Sequence, residues 1–194
     1  AGSLTARELA RAGLKVLLVD KATFPRRKVC GACLSSVAVQ WLERVGLGGL
    51  PGACGAVTLS AVHLACRRCT AKLAHRGGVA ISREAFDAAM IRAAIASGSH
   101  FLSGIAAKCA EQCDADFRIV ELDGTSIGTR IVVLADGLRG TATGRANISH
   151  VAAGSRIGAG AVAESISGFY SNGTTYMAVG RGGYVGLVRD EAGR

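Results

Sequence analysis

Apolar and polar positions alternate along this chain with two different periods. From Ser3 to Ala12, Leu4, Ala6, Leu9 and Ala10 fall on one face of a helix, and Gly13 is its stop. Lys15 to Asp20 is a short apolar run, Val16-Leu17-Leu18-Val19, closed by an acid. That is the pattern of a buried parallel strand. Lys21 to Cys33 reads as a basic loop containing Phe24-Pro25. Leu34 to Val45 is a second helix, capped by Ser35 or Ser36 and ended by Gly46, Gly48 and Gly49.

The period then changes. Ala56–Cys66, Cys69–His75 and Val79–Ile81 are rich in strand formers, and turns such as Arg76-Gly77-Gly78 are expected to join them as antiparallel strands. Ile81 to Ala96 returns to helical spacing through Phe86, Met90, Ile91, Ala94 and Ile95. Strands are expected over 101–109, 117–122 and Ile127–Leu134, with Asp123-Gly124 as a hairpin turn and Ala135-Asp136-Gly137 as the last strand's end. The Gly-rich tail, Ser155 to Val188, is strand-like. Helices alternating with apolar strands, interrupted by strand runs, predict an α/β protein: a parallel core with a mainly antiparallel second layer.

Charge adds one local feature. The net charge is +9. Residues 1–78 hold twelve Lys/Arg against three acids, and the remainder is balanced. An excess confined to one stretch suits an anionic cofactor or substrate; for Arg67, Arg68, Lys72 and Arg76 a solvated face is the expected role. Aromatics are few and no recognition motif accompanies the charge, so nucleic acid is not expected as a partner. No apolar run nears the ~18–20 residues of a membrane helix. A cytoplasmic protein is expected, with peripheral membrane contact open.

Seven cysteines, an odd number without secretory features, argue against a disulfide framework. Cys30-Gly-Ala-Cys33 imitates a thiol-redox pair. With Cys66-Arg-Arg-Cys69 it makes two C-x-x-C pairs, separated by about twice the ~15–20 residues of common zinc modules. Small buried thiols are the expectation for Cys54, Cys66, Cys69, Cys109 and Cys113. His63, His75, His100 and His150 sit in no constellation with Ser or Asp.

Ala1-Gly2 through Gly13, followed by Val16–Asp20, looks like the back half of a dinucleotide-binding fingerprint. Gly2 takes the place of the third glycine, which permits close helix–strand packing. Asp20 is the ribose-binding acid about 20 residues on. Alone, this stretch fits an ordinary helix–strand pair as well. Phe24-Pro-Arg-Arg-Lys-Val-Cys-Gly31, Ser82-Arg-Glu-Ala-Phe-Asp87 and Val133-Leu-Ala-Asp-Gly137 follow it in order. With these, the chain resembles the FAD-dependent oxidoreductases that group geranylgeranyl reductases, flavin-dependent halogenases and aromatic-hydroxylase-like monooxygenases. Gly182–Val188 resembles a substrate-domain strand of that group.

The resemblance implies a Rossmann-like FAD/NAD(P)-binding parallel sheet (residues 1–54 and 83–144), an antiparallel β insertion (55–82) and the start of a β-rich substrate domain (145–194). It implies cofactor contacts from Gly2 at the pyrophosphate, Asp20 and Lys21 at the adenosine side, Arg83 on the flavin side, and Asp136-Gly137 near the dinucleotide. Gly140 stands where the family has Ser. Lys28, Cys30 and Gly31 would cross the flavin and substrate pocket, with Cys30 as the candidate catalytic thiol beside Arg26, Arg27, Lys28 and Lys21. Arg83 could equally form a local pair with Asp87 at i+4. The implied activity is an FAD-dependent oxidoreductase, in which NAD(P)H-reduced flavin reduces or monooxygenates a hydrophobic or aromatic small molecule. An NAD-binding dehydrogenase and a non-catalytic zinc or thiol-redox module are the alternatives. The chain is expected to be the first-half piece of such a protein. Residues 1–194 alone are then expected to bind FAD weakly or not at all.

Overall fold

A computed structural model describes residues 1–113, 117–137, 152–155, 157–164 and 167–194. Gly140, His150 and the expected 144/145 boundary lie outside the described residues, as does the Cys113 side chain. In chain order the elements are α1 (Gly2–Arg11), β1 (Leu17–Asp20), β2 (Cys33–Leu34), α2 (Ser36–Arg44), α3 (Leu50–Ala53), β3 (Val57–Cys66), β4 (Cys69–Ala80) and α4 (Arg83–Ala96). They continue with β5 (His100–Ser103), β6 (Ala107–Cys113), β7 (Arg118–Leu122), β8 (Thr125–Thr129), β9 (Thr174–Gly180) and β10 (Gly183–Leu187). The chain divides into two compact units, Ala1–Arg26 with Met90–Ile157, and Arg27–Ala89 with Gly158–Arg194.

The first unit carries the parallel pair. β1 runs beside β5 in register Leu17↔His100 to Asp20↔Ser103. The expected Rossmann-like α/β character is present here: helix α1, a tight stop at Gly13 and a strand ending in Asp20. β1 is less buried than its sequence suggests, and Leu17 is exposed. Its one ladder partner among the described residues is β5. Ser99 fixes α1 from below, its Oγ donating to the Ala6 carbonyl at 3.0 Å in a buried position. Ala6, Met90, Ile91 and Ala94 are buried in this unit. β6, β7 and β8 form an antiparallel meander, and Asp123 and Gly124 turn β7 into β8 with φ of 42° and 88°.

The expected strand Ile127–Leu134 is shorter than the apolar run. β8 ends at Thr129, whose Oγ1 donates to the Ile131 carbonyl at 3.2 Å, and residues 131–137 continue without ladder pairing. A local side-chain bond has replaced the next ladder bond.

The second unit is a mixed five-stranded sheet in the order β10-β9-β3-β4-β2. β3 pairs antiparallel with β4 and parallel with β9. The expected turn at Arg76-Gly77-Gly78 does not exist. β4 runs through it, and the turn is Arg67-Arg68. The two glycines instead absorb a register shift, Leu59↔Gly78 giving way to Ala61↔Ala74, with Gly77 at φ +81°. On the β3 side the shift is held by Gly173, whose carbonyl accepts from Ser60 N at 2.8 Å and Ala61 N at 3.3 Å. Of the two serines weighed as the α2 cap, Ser35 serves: its Oγ accepts from Ala38 N at 3.2 Å. Leu42, Leu59, Ala61, Ala80, Ile81 and Ala89 are buried in this unit.

Candidate cofactor and thiol site

In the first unit, Gly2 opens α1 against a neighbour. A Cβ at this position would stand 3.2 Å from the Ala135 Cβ and 3.7 Å from Leu18 Cδ1. The glycine therefore lets the segment before Asp136 lie directly on the helix start. Ala1 offers no side-chain cap and the first turn holds no acid, so neither takes up the helix's leading N–H groups. Such a terminus favours an anion.

Asp20 ends β1, half-buried. Its Oδ1 accepts from Ala22 N at 2.9 Å, and its Oδ2 pairs with Arg26 Nη2 at 3.3 Å. Arg26 lies over the Phe24 ring at 5.0 Å, and its Nε is buried with no hydrogen-bond partner. Phe24 in turn packs edge-on to Phe101 and donates its N–H to Ser103 Oγ at 3.0 Å. The loop after β1 is thus anchored to β5. Lys21 is exposed on it. Asp136 is exposed and Gly137 turns with φ +84°.

In the second unit, Lys28, Cys30 and Gly31 are all exposed. The residue in the left-handed region is not Gly31 but Ala32, at φ +48°. Two of the four basic side chains expected around Cys30 are engaged elsewhere: Arg26 with Asp20, and Arg27 with Glu84 at 3.5 Å. The guanidinium that acts on Cys30 is instead that of Arg83. Arg83 is gripped by Asp87 through two bonds, Nε–Oδ1 at 2.8 Å and Nη2–Oδ2 at 2.7 Å. Its guanidinium is held above its ordinary range, first by that bond to Asp87, with burial opposing and Cys30 adding. So the local i+4 pair forms and Arg83 still reaches a second group.

Cys33 differs. Burial of its thiol, 3.9 Å from Thr175 Oγ1, pushes its pKa up against that contact, and Cys30 pushes the same way.

Ser82 and Glu191 were not anticipated. Ser82 caps α4, accepting from Ala85 N at 3.1 Å. It also donates its own N–H and Oγ–H to Glu191, at 2.7 and 2.6 Å. A sequence separation of 109 leaves no local signal for that pair.

The buried-thiol expectation fails at four positions. Cys66 and Cys69 are exposed at the tip of the β3–β4 hairpin, and Cys54 and Cys109 are half-buried. Residues beside a surface turn cannot reach the core, whatever their polarity. Among the described residues no three His, Cys, Asp or Glu side chains gather as metal ligands, so the two C-x-x-C pairs do not form a four-thiolate zinc site. A cleft of about 370 Å³ in the first unit is lined by Cys109, Arg118, Arg130, Ile131, Val132 and Leu134, and contains none of the predicted site residues.

A glycine-opened helix, an acid at the end of a parallel strand and a separate mixed sheet define a Rossmann-like α/β fold. Comparison with known proteins narrows the class. No protein-family profile matches the chain. The menaquinone reductase of Mycobacterium tuberculosis is 33% identical, over 72% of this chain and 36% of the relative. The menaquinone reductase of Mycolicibacterium smegmatis is 51% identical over 24% of this chain and 12% of its own length. The chain therefore spans about a third of the M. tuberculosis relative. Among solved structures, the flavin-dependent halogenase CmlS superposes with a TM-score of 0.74 at 18% identity, over 96% of this chain and 37% of that one. The halogenase PltM, in complex with phloroglucinol and FAD, gives 0.55 at 16% identity, over 66% and 31%. The chain thus shares its fold with flavin-dependent halogenases and is similar in sequence to menaquinone reductases.

Proposed function

We propose that this chain supplies the cofactor-binding part of an FAD-dependent reductase acting on a hydrophobic or aromatic small molecule, with NAD(P)H as electron donor. The observation that carries the reading is the start of α1. Neither a side-chain cap from Ala1 nor an acid in the first turn takes up its leading N–H groups, and only a glycine fits at Gly2 without pressing on Ala135. These features suit a pyrophosphate. Asp20 suits a ribose: its two bonds leave lone pairs for hydroxyl donors, and Arg26 holds its direction. Lys21 and Asp136-Gly137 are further candidates on the same unit, and Lys28, Gly31 and Arg83 on the other. The flavin, when bound, supplies the two-electron chemistry. The protein's share is to orient it and exclude water, with Cys30, on which Arg83 acts, as the candidate thiol. Reduction is preferred because the 33%-identical relative is a reductase; monooxygenation is the second reading and rests on the fold shared with the halogenases. Peripheral contact with a membrane belongs to the same proposal. Among the described residues no helix is long and apolar enough to cross one.

The test is cofactor content. Expressed together with the coding sequence that flanks residues 1–194, the protein is expected to purify yellow and release FAD on denaturation. D20A is expected to weaken FAD binding about tenfold, a loss of ~1.4 kcal/mol typical of hydrogen bonds to a charged group. Colourless protein that shows no flavin difference spectrum at saturating FAD would sink the reading.

A further inference from the structure

β3 and β4 are joined by two residues, Arg67 and Arg68, and the pair that closes this loop is Cys66↔Cys69. Both cysteines are free and exposed. Residues directly opposite on antiparallel strands project to the same face, with Cβ atoms ~4.5–5.5 Å apart. The pair closing a two-residue loop exchanges backbone hydrogen bonds and is the wider of the two ladder types. A relaxed disulfide needs Cβ atoms only ~3.5–4.5 Å apart. The sulfurs are therefore spaced better for an ion between them than for a bond to each other.

The surroundings select the ion. Thiolates prefer soft cations. No third His, Cys, Asp or Glu joins the pair among the described residues, so a four-coordinate Zn²⁺ shell is not offered. Two thiolates around a monovalent ion leave a net charge of −1. The turn between them carries two guanidiniums, and the hairpin from Val57 to Ala80 contains no Asp or Glu. That charge pattern favours a bis-thiolate complex of a monovalent cation over a bare divalent one.

We propose that Cys66 and Cys69 form a two-coordinate site for a monovalent thiophilic ion, Cu(I) or Ag(I). On binding, each thiol releases one proton to solvent and forms one sulfur–metal bond; no electrons move. The site is independent of the flavin reading, since none of its residues belongs to the candidate cofactor site.

The experiment uses the whole chain under anaerobic conditions, with Cu(I) held at fixed free concentrations by a competing chelator. A short alkylation pulse is followed by mass spectrometry of each cysteine peptide. Cu(I) is expected to slow alkylation of Cys66 and Cys69 together, at least tenfold and over the same concentration range. C69S is expected to return Cys66 to its metal-free rate, and C66S to do the same for Cys69. Protection of Cys66 in C69S equal to that in the wild type would overturn the proposal. So would metal-free rates at both thiols across the whole range, or a 66–69 peptide isolated two mass units light, the mark of a disulfide.

Discussion

Gly2 and Gly173 both stand where a Cβ would crowd a neighbour, one in each unit, and the neighbours differ. At Gly2 the obstacle is a side chain, the Ala135 methyl at 3.2 Å. At Gly173 it is backbone, the Thr58 carbonyl oxygen at 2.8 Å, and the glycine also sits at φ +73°. The first unit thus holds the start of α1 by close but adjustable side-chain packing. The second holds them by backbone closure and charge pairs between distant segments.

The largest expected effect tests this contrast directly. Gly173→Ala adds left-handed strain and a backbone clash, at a cost of about 2–4 kcal/mol. It should also disturb the β3 bulge that its carbonyl closes. Gly2→Ala asks only a methyl to shift, for about 1 kcal/mol. Urea midpoints of the two variants measure the difference. Equal losses would mean that the start of α1 is as rigid as the start of β9, and the contrast would fail.

The same contrast explains what could be read from sequence. Gly2, Gly13 and Asp20 were legible because each role is set within a few residues of chain: a helix start, a helix stop, a strand end. The Asp123-Gly124 turn was legible for the same reason. The β3–β4 turn was misplaced because Gly77-Gly78 looks like a turn locally, and only the pairing with Leu59 makes it a register shift. Arg26 was assigned to Cys30 by proximity in sequence, yet Asp20 and the Phe24 ring hold it. Glu191 left no trace near Ser82 at all. Long-range polar partners carry no periodicity.

Glu191 gives the next effect in size. Burial alone would raise its pKa, but the two bonds from Ser82 outweigh that and hold the carboxyl below its ordinary range. Glu191→Gln is expected to cost about 1–2 kcal/mol near neutral pH, by weakening charge-assisted bonds to the α4 cap. A depressed folded pKa gives stability that is complete above the unfolded value of ~4.3 and is lost as pH falls through the folded value. Thermal midpoints of wild type and E191Q should therefore differ at pH 7 and converge as pH drops below about 4. A gap independent of pH would mean that the carboxylate's charge plays no part in closing the second unit.

The smallest effect concerns reactivity rather than stability. Arg83 is fixed by Asp87 through two bonds, and its charge also acts on Cys30. Arg83→Gln removes the cation and is expected to slow alkylation of Cys30 by the anionic reagent iodoacetate about two- to tenfold, because a nearby cation draws that reagent to the sulfur. Arg83→Lys keeps the charge but loses the planar fork that Asp87 grips, and should recover only part of the rate. Asp87→Asn leaves the cation in place but frees it to wander, so the rate should fall less than in R83Q. Cys54, remote in sequence from this network, serves as the internal reference in the same digest. If R83Q left the Cys30-to-Cys54 ratio unchanged, the charge pairs of the second unit would be purely structural. The thiol would then owe its reactivity to exposure alone. A graded loss, R83Q greater than R83K and D87N, would instead show that an ion pair laid down along one helix turn sets the chemistry of a loop fifty residues earlier in the chain.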